Sequence, residues 1–439
     1  MKTNCISGSL RNHIQTPNRA AVIADTGPFP NTSTQNQNQN QRMKTNSLQL
    51  IRSVGAAALL GLIASSGNAQ TAPDTAGQPV KAHLTILPGG DPGTPRGLKL
   101  PYAINDQGTV VGYSQQDDFV YIGAPAELTA FTGAALWSGK GFDFSILPEP
   151  PESPARRFLF GSASGINNKG VVVGRVTDDS NFGMGSTSSR AVRWDNGVLT
   201  DLGVVPGYGH SSARAINNAG EIAGSIGEWL MTQAVRWTPS GQLQQLDLLP
   251  THNASYASGI NAAGRIVGYS GFEDGDFTTE RRPVYWDGTS VTELATSAGF
   301  NQGQANAINA AGTIVGHSAA FDLDIYDYTA VRATIWTEGV PSLLPLLPGF
   351  SASSASSINA RGMAIGACYP EPYEAIYGFG GVPVLWDNGE VIDLRPLLEP
   401  FFPEGSQFSV KDINSAGQII GAAYGQGFVL TVPAAAHRH

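Results

Sequence analysis

The sequence predicts an all-β protein, a seven-bladed β-propeller whose last blade is closed by the N-terminal strand. Three observations predict it. The motif Ile-Asn-x-x-Gly-x-x-x-Gly occurs seven times in 439 residues. A strand ending in Trp follows six of the copies. The seventh copy stops without a Leu-rich closing strand, and the start of the repeat region supplies one.

The motif asparagines are Asn105, Asn167, Asn217, Asn261, Asn309, Asn359 and Asn414, at spacings of 62, 50, 44, 48, 50 and 55 residues. Each has Gly three and seven residues further on, the first being Gly108, Gly170, Gly220, Gly264, Gly312, Gly362 and Gly417. A strand of small alternating residues, such as Ser212 to Ile216, leads into an Asn-x-x-Gly turn. The Asn side chain can close that turn and Gly supplies its positive φ. A second strand follows, such as Arg265 to Ser270, then a variable loop. The third strand ends in Trp137, Trp194, Trp237, Trp286, Trp336 or Trp386, expected as core between blades with the indole N–H on a carbonyl. A hairpin signal such as Asp195-Asn196-Gly197 leads to a fourth strand with spaced leucines. His83-Leu84-Thr85-Ile86-Leu87-Pro88-Gly89 matches the Leu-Pro-Gly ends elsewhere, so it should complete the seventh blade and leave no open edge. An open β-solenoid is the alternative and would not need this shared unit.

The propeller is expected over 82–432, with a linker at 70–81 and a tail at 433–439. Residues 43–69 read as a signal peptide: Lys44 and Arg52 are its basic part, Val54 to Ile63 its apolar part, and Gly67-Asn68-Ala69 its exit. Residues 1–42 are polar and rich in Asn and Gln. They are either a disordered extension or a mis-assigned start, since Met1-Lys2-Thr3-Asn4 recurs as Met43-Lys44-Thr45-Asn46. Export implies a periplasmic or extracellular protein. No apolar run is long enough to span a membrane. The formal net charge is −9, and 1–69 carries six Lys/Arg against one acid. The remainder is therefore more acidic still, which argues against nucleic acid as a partner. Without Cys5, Cys368 is a lone thiol, read as a half-buried strand-end residue; a reactive or ligating role is the alternative.

The repeat resembles the HAF family of extracellular repeats over about residues 82–432, through the Ile-Asn turn, the Trp-ended strand and the Leu-Pro-Gly exit. The His-Ala-Phe signature is degenerate here: Arg-Ala-Val-Arg-Trp194 and Gln-Ala-Val-Arg-Trp237 are typical, and no blade keeps the His. The resemblance implies an exported location and no particular chemistry.

Function should sit on the face that carries the inter-blade loops and the loops between second and third strands. One aromatic column falls in the inter-blade loops, with Phe158, Tyr208, His252, Phe300 and Phe350 nine residues before the motif Asn, and His210 and Tyr256 close by. These could form a platform for a sugar or another planar ligand; packing between blades is the alternative. The other loops are acidic. Glu273-Asp274-Asp276 and Asp322-Asp324-Asp327 could hold a divalent cation such as calcium, or simply be a solvated rim. No other cofactor is evident. His317 and His252 read as ordinary strand-end and loop residues. Motifs of metalloproteases, serine hydrolases, nucleotide-binding loops and redox cysteine pairs are lacking. The sequence therefore reads as an exported binding or scaffold propeller for a glycan, polymer or protein ligand. A secreted hydrolase or lyase using rim carboxylates is the alternative.

Overall fold

The computed structural model describes residues 70–71, 82–89, 98–115, 132–150, 158–178, 188–205, 208–228, 231–274, 277–323, 325, 327–378 and 380–432. They form seven antiparallel sheets, the blades of a β-propeller. In chain order the innermost strands of blades 1 to 7 are Lys99–Ile104, Phe158–Ile166, His210–Ile216, Ala254–Ile260, Gln302–Ile308, Ala352–Ile358 and Phe408–Ile413. Blades 1 to 6 each add three further strands outward. Blade 7 takes its outer strand from the N-terminal side: His83–Ile86 pairs antiparallel with Gln426–Thr431. The predicted closure is therefore present. Gln70–Thr71, inside the expected linker, adds a short fifth strand to that blade.

The motif Asn does more than close its own turn. In all seven blades its Oδ1 accepts the backbone N–H four residues on, at 2.9–3.0 Å. Its Nδ2 donates to the backbone carbonyl of the motif Asn in the next blade, at 3.0–3.4 Å. Asn414 of blade 7 donates to Asn105 of blade 1 at 3.0 Å. The result is a closed ring of seven hydrogen bonds around the axis. All seven Asn side chains are buried, where an unmade bond would be costly.

The two motif glycines serve different needs. The first closes the turn, with φ between +78° and +89° in the seven blades. The second permits a β-bulge. Each inner strand shifts register three residues before its motif Asn, as between Ala213 and Ala215, which pair with Gly224 and Ala223; blade 2 has a second shift between Phe158 and Phe160. The bulge pushes the preceding carbonyl against the second Gly, where an added Cβ would lie 1.8–2.2 Å from that oxygen in every blade. Only Gly fits there.

Each third-strand Trp is buried between blades as expected, and its indole N–H donates to a carbonyl just after the preceding blade's outer strand. Those acceptors are Pro88, Pro148, Leu202, Asp247, Ala295 and Pro345, at 2.6–3.0 Å. Blade 7 has Leu430 at the Trp register and fills its core with Phe428 two residues earlier; both are fully buried. Serines of the inner strands stitch neighbouring blades as well: Ser211, Ser255 and Ser353 accept the N–H of Ala191, Ala234 and Ala333, each at 2.9 Å. Cys368 is fully buried rather than half-buried, and burial pushes its thiol up, away from thiolate reactivity.

The loop-bearing face is built differently from expectation in blades 4 to 6. In blade 4 the strands Ile266–Asp274 and Phe277–Asp287 run on until two residues separate them. In blade 5, Ile314–Asp322 and Asp327–Thr337 do much the same. The expected acidic loops are therefore mostly the tips of long hairpins. The Phe321 and Tyr328 rings, 4.9 Å apart across the strands, support the second of these. In blade 6 a short helix, Pro372–Tyr377, bridges the second and third strands.

Candidate functional site

The inner strands surround a central channel with a cavity of about 1100 Å³. The residue skipped three before each motif Asn lines the channel, giving a ring of Tyr102, Ser164, Arg214, Ser258, Asn306, Ser356 and Lys411. Two residues towards the loop-bearing face, Ser162, Ser212, Tyr256, Gln304, Ser354 and Ser409 make a second tier. Arg175, on the second strand of blade 2, reaches the same cavity beside the small Ser162 and Ser212.

This wall reverses the sign of the protein. The chain is acidic, yet Arg175, Arg214 and Lys411 all line the cavity and are solvent-exposed within it. Among the described residues, none of the three has a carboxylate within ion-pair distance. Burial pushes the Lys411 ammonium down, and Arg214 pushes it down further. Burial raises the Tyr102 phenol, while the charges of Arg175 and Arg214 pull it back. The Arg214 guanidinium lies 6.0 Å from the Tyr256 ring centre. The Tyr256 ring stacks on Tyr269 at 6.0 Å.

One carboxylate, Asp412, is among the described wall residues. It accepts the Ser357 hydroxyl at 2.7 Å, the Ile413 N–H at 2.9 Å and the Ile104 N–H at 3.0 Å. Burial pushes its carboxyl above the usual range against the pull of these bonds. Asp412 thus ties blades 6, 7 and 1 together where the ring closes. The cations, arranged on blades 7, 2 and 3, are left facing an open channel with Tyr102 and Tyr256 among them. The described facing wall, from blades 5 and 6, is uncharged and mixes serines and amides with apolar residues such as Tyr369, Ile376 and Pro383.

Of the residues expected to form a platform, Tyr256 lines the channel. Tyr208 packs against the core beneath blade 3 and donates its hydroxyl to Gln233 at 3.2 Å. Phe350 packs against the core of blades 5 and 6. Phe300 lies in a turn in which the Thr296 hydroxyl bonds its carbonyl at 2.7 Å. His210 Nδ1 accepts the Ser189 N–H at 3.2 Å at the edge of blade 3. His252 Nδ1 is 2.9 Å from the Ser270 hydroxyl, and burial pushes its imidazolium down against the nearby Glu280 carboxylate. Tyr208 and Phe350 of the inter-blade column are thus packed onto blade cores, because their turns fold down onto the sheet edges. Phe158 begins an inner strand; its side chain lies outside the described residues.

The proposed cation ligands do not converge in what is described. Asp322 and Asp327 are paired across the blade 5 hairpin. Asp276, Asp324 and the side chain of Asp274 lie outside the described residues, as does the expected signal peptide. Among the described residues no three His, Cys, Asp or Glu side chains gather as a metal site would require. No described helix is long and apolar enough to cross a membrane.

No protein-family model matches the chain, and no curated protein does. Several solved structures are similar in fold. Virginiamycin B lyase from Staphylococcus aureus matches at 14% identity and a TM-score of 0.42, covering 81% of this chain and 100% of that one. The β-propeller domain of the Trilobed protease from Pyrococcus furiosus matches at 8% identity and a TM-score of 0.42, covering 74% and 90%. YCF48 bound to D1 peptide matches at 13% identity and a TM-score of 0.41, covering 84% and 99%. None of these lends a residue role to this chain.

The cations were missed in the sequence because Arg175, Arg214 and Lys411 form no run and no patch. One signal was available. Counting back three from each motif Asn gives Tyr102, Arg214 and Lys411 in a column otherwise made of Ser and Asn. Large or charged residues in a small-residue column mark a face with room in front of it.

Proposed function

We propose that the protein is a binding propeller that admits its ligand to the central channel from the loop-bearing face. The observation that carries this reading is the channel wall itself, about 1100 Å³ of space lined by three cations with no acidic partner among the described residues, four tyrosines and a series of serines and amides. Ligand pockets commonly occupy roughly 300–1,000 Å³, so this one has room for several linked units. A hydrolase of the rim-carboxylate type would want two carboxyl groups about 5–10 Å apart. The described wall offers Asp412, whose oxygens already hold three neighbours. Export, read from Lys44 to Ala69, and kinship with the HAF repeats, read from the motif, belong to the same proposal.

The test is to narrow the channel. Ser258→Trp with Ser356→Trp places two indoles at bulge positions, where blade 1 already carries Tyr102. Wild-type and narrowed proteins are compared for capture of soluble polysaccharides and peptides, with folding checked by circular dichroism. Capture lost on narrowing supports the channel. Capture that survives, or a wild type that captures nothing, refutes it.

A further inference from the structure

The channel does not end at its own wall. A second cavity of about 530 Å³, between blades 6, 7 and 1, shares Gly378, Gly381, Phe408 and Ser409 with it. The second cavity is floored largely by glycine backbone, with Gly380, Gly405 and Gly425 also present, and Tyr424 stands at its side, 83% exposed. Together they make a groove that leads into a socket, a shape suited to an extended ligand with one end inside.

The chemistry of the socket narrows the ligand. The three cations stand on three different blades, so they match negative charges spaced along a chain better than a single compact anion. A compact phosphate would be met by convergent backbone N–H groups; here the wall offers serine hydroxyls and the Gln304 and Asn306 amides, partners for ligand hydroxyls. Tyr102 and Tyr256 add flat apolar faces beside the cations, the surface on which the C–H face of a sugar ring rests. In an otherwise acidic chain, the positive charge of the channel wall is what would draw an anionic ligand inwards.

We infer that the channel binds the end of an acidic polysaccharide, with carboxylates of its uronic acid units held by Arg175, Arg214 and Lys411 and its sugar rings laid on Tyr102 and Tyr256. This rests on the channel being the ligand site, and the experiment separates the two ideas. Calorimetric titrations in calcium-free, low-salt buffer use oligogalacturonate, its methyl ester, a neutral galactan oligomer and poly-glutamate as probes. The proteins are wild type, Arg214→Gln with Lys411→Gln, and Ser258→Trp with Ser356→Trp. Ser164→Trp replaces Ser356→Trp should that pair fail to fold.

Oligogalacturonate is expected to bind wild type. Its methyl ester and the charge-neutralised variant should each weaken binding about tenfold or more, and narrowing should abolish it. Three results overturn the inference: no binding of oligogalacturonate, equal binding of the ester or the galactan, or tighter binding of poly-glutamate. If a neutral or peptide probe binds wild type and not the narrowed protein, the channel remains the site and only the acidic sugar falls. If any probe binds the narrowed protein as well as wild type, the channel reading falls too.

Discussion

Asn359→Ala tests the axial ring. Asn359 is 3% exposed, and its side chain makes three bonds: it accepts the N–H of Arg361 and of Met363, each at 3.0 Å, and donates to the Asn414 carbonyl at 3.0 Å. The three losses differ in cost. The Met363 N–H is buried and would have no partner, about 1–3 kcal/mol. The Arg361 N–H is at an exposed turn and can turn to water, and the Asn414 carbonyl keeps the Gly417 N–H, so each of these costs about 0.5–1 kcal/mol. The sum is about 2–5 kcal/mol. For a propeller of this length the unfolding entropy is about 0.7 kcal/mol per kelvin, so the melting temperature should fall by about 3–7 °C. Asn359→Asp sharpens the test. It keeps both accepted bonds but turns a carboxylate oxygen onto the Asn414 carbonyl. Such a group has a folded pKa above the unfolded value of about 3.9. Its penalty is absent below that value and grows as pH rises through the raised one. Scanning calorimetry at pH 4 and pH 7 should therefore show the Asp variant close to wild type at the lower pH and at least as damaged as the Ala variant at the higher. A drop under 1 °C for Asn359→Ala, or an Asp deficit independent of pH, would refute the ring as a source of stability.

The two motif glycines should respond differently to alanine. Gly312→Ala meets nothing within 4 Å but must hold φ near +88°, costing about 1–2 kcal/mol; Gly268→Ala drives a Cβ to 1.8 Å from the Tyr256 carbonyl and should cost about 3 kcal/mol or more. Equal losses in denaturant titrations would contradict the bulge argument. A chain lacking residues 1–89 leaves the Gln426–Thr431 edge bare and removes the Pro88 acceptor of Trp137. It should melt lower and self-associate by light scattering, and a peptide of residues 82–89 should reverse both; a monomer of unchanged melting temperature would argue against the latch. Burial pushes His317 down to about 4 from 6.5. The unfolded chain then takes up a proton first, so stability is complete above about pH 6.5 and is lost as pH falls towards 4. His317→Gln should flatten that part of the profile relative to wild type; the buried Asp412, shifted the other way, is common to both proteins.

The repeat was legible because its causes are local. An Asn closing a turn, a Gly at positive φ and a Trp between sheets impose the same residues in each blade, and seven copies give the blade number. The latch was legible for a similar reason, since His83 to Gly89 carries the exit pattern that the seventh copy lacks. The aromatic column was legible as a column but not as a surface, because whether Tyr208 or Phe350 faces solvent depends on how its turn folds onto the neighbouring blade. The channel was least visible. In an unbroken strand, side chains alternate strictly, and Ser211 and Ala213 would put Ala215 on their own buried face. The bulge moves burial to Ile216 instead, while Arg214 keeps the channel side it shares with Ser212. Sequence alone therefore determined the blades, their number and their closure, which follow from short-range geometry repeated seven times. The tertiary structure alone decided the binding wall, because Arg175, Arg214 and Lys411 come to line one cavity only when the ring closes and brings blades 7, 2 and 3 round a common axis.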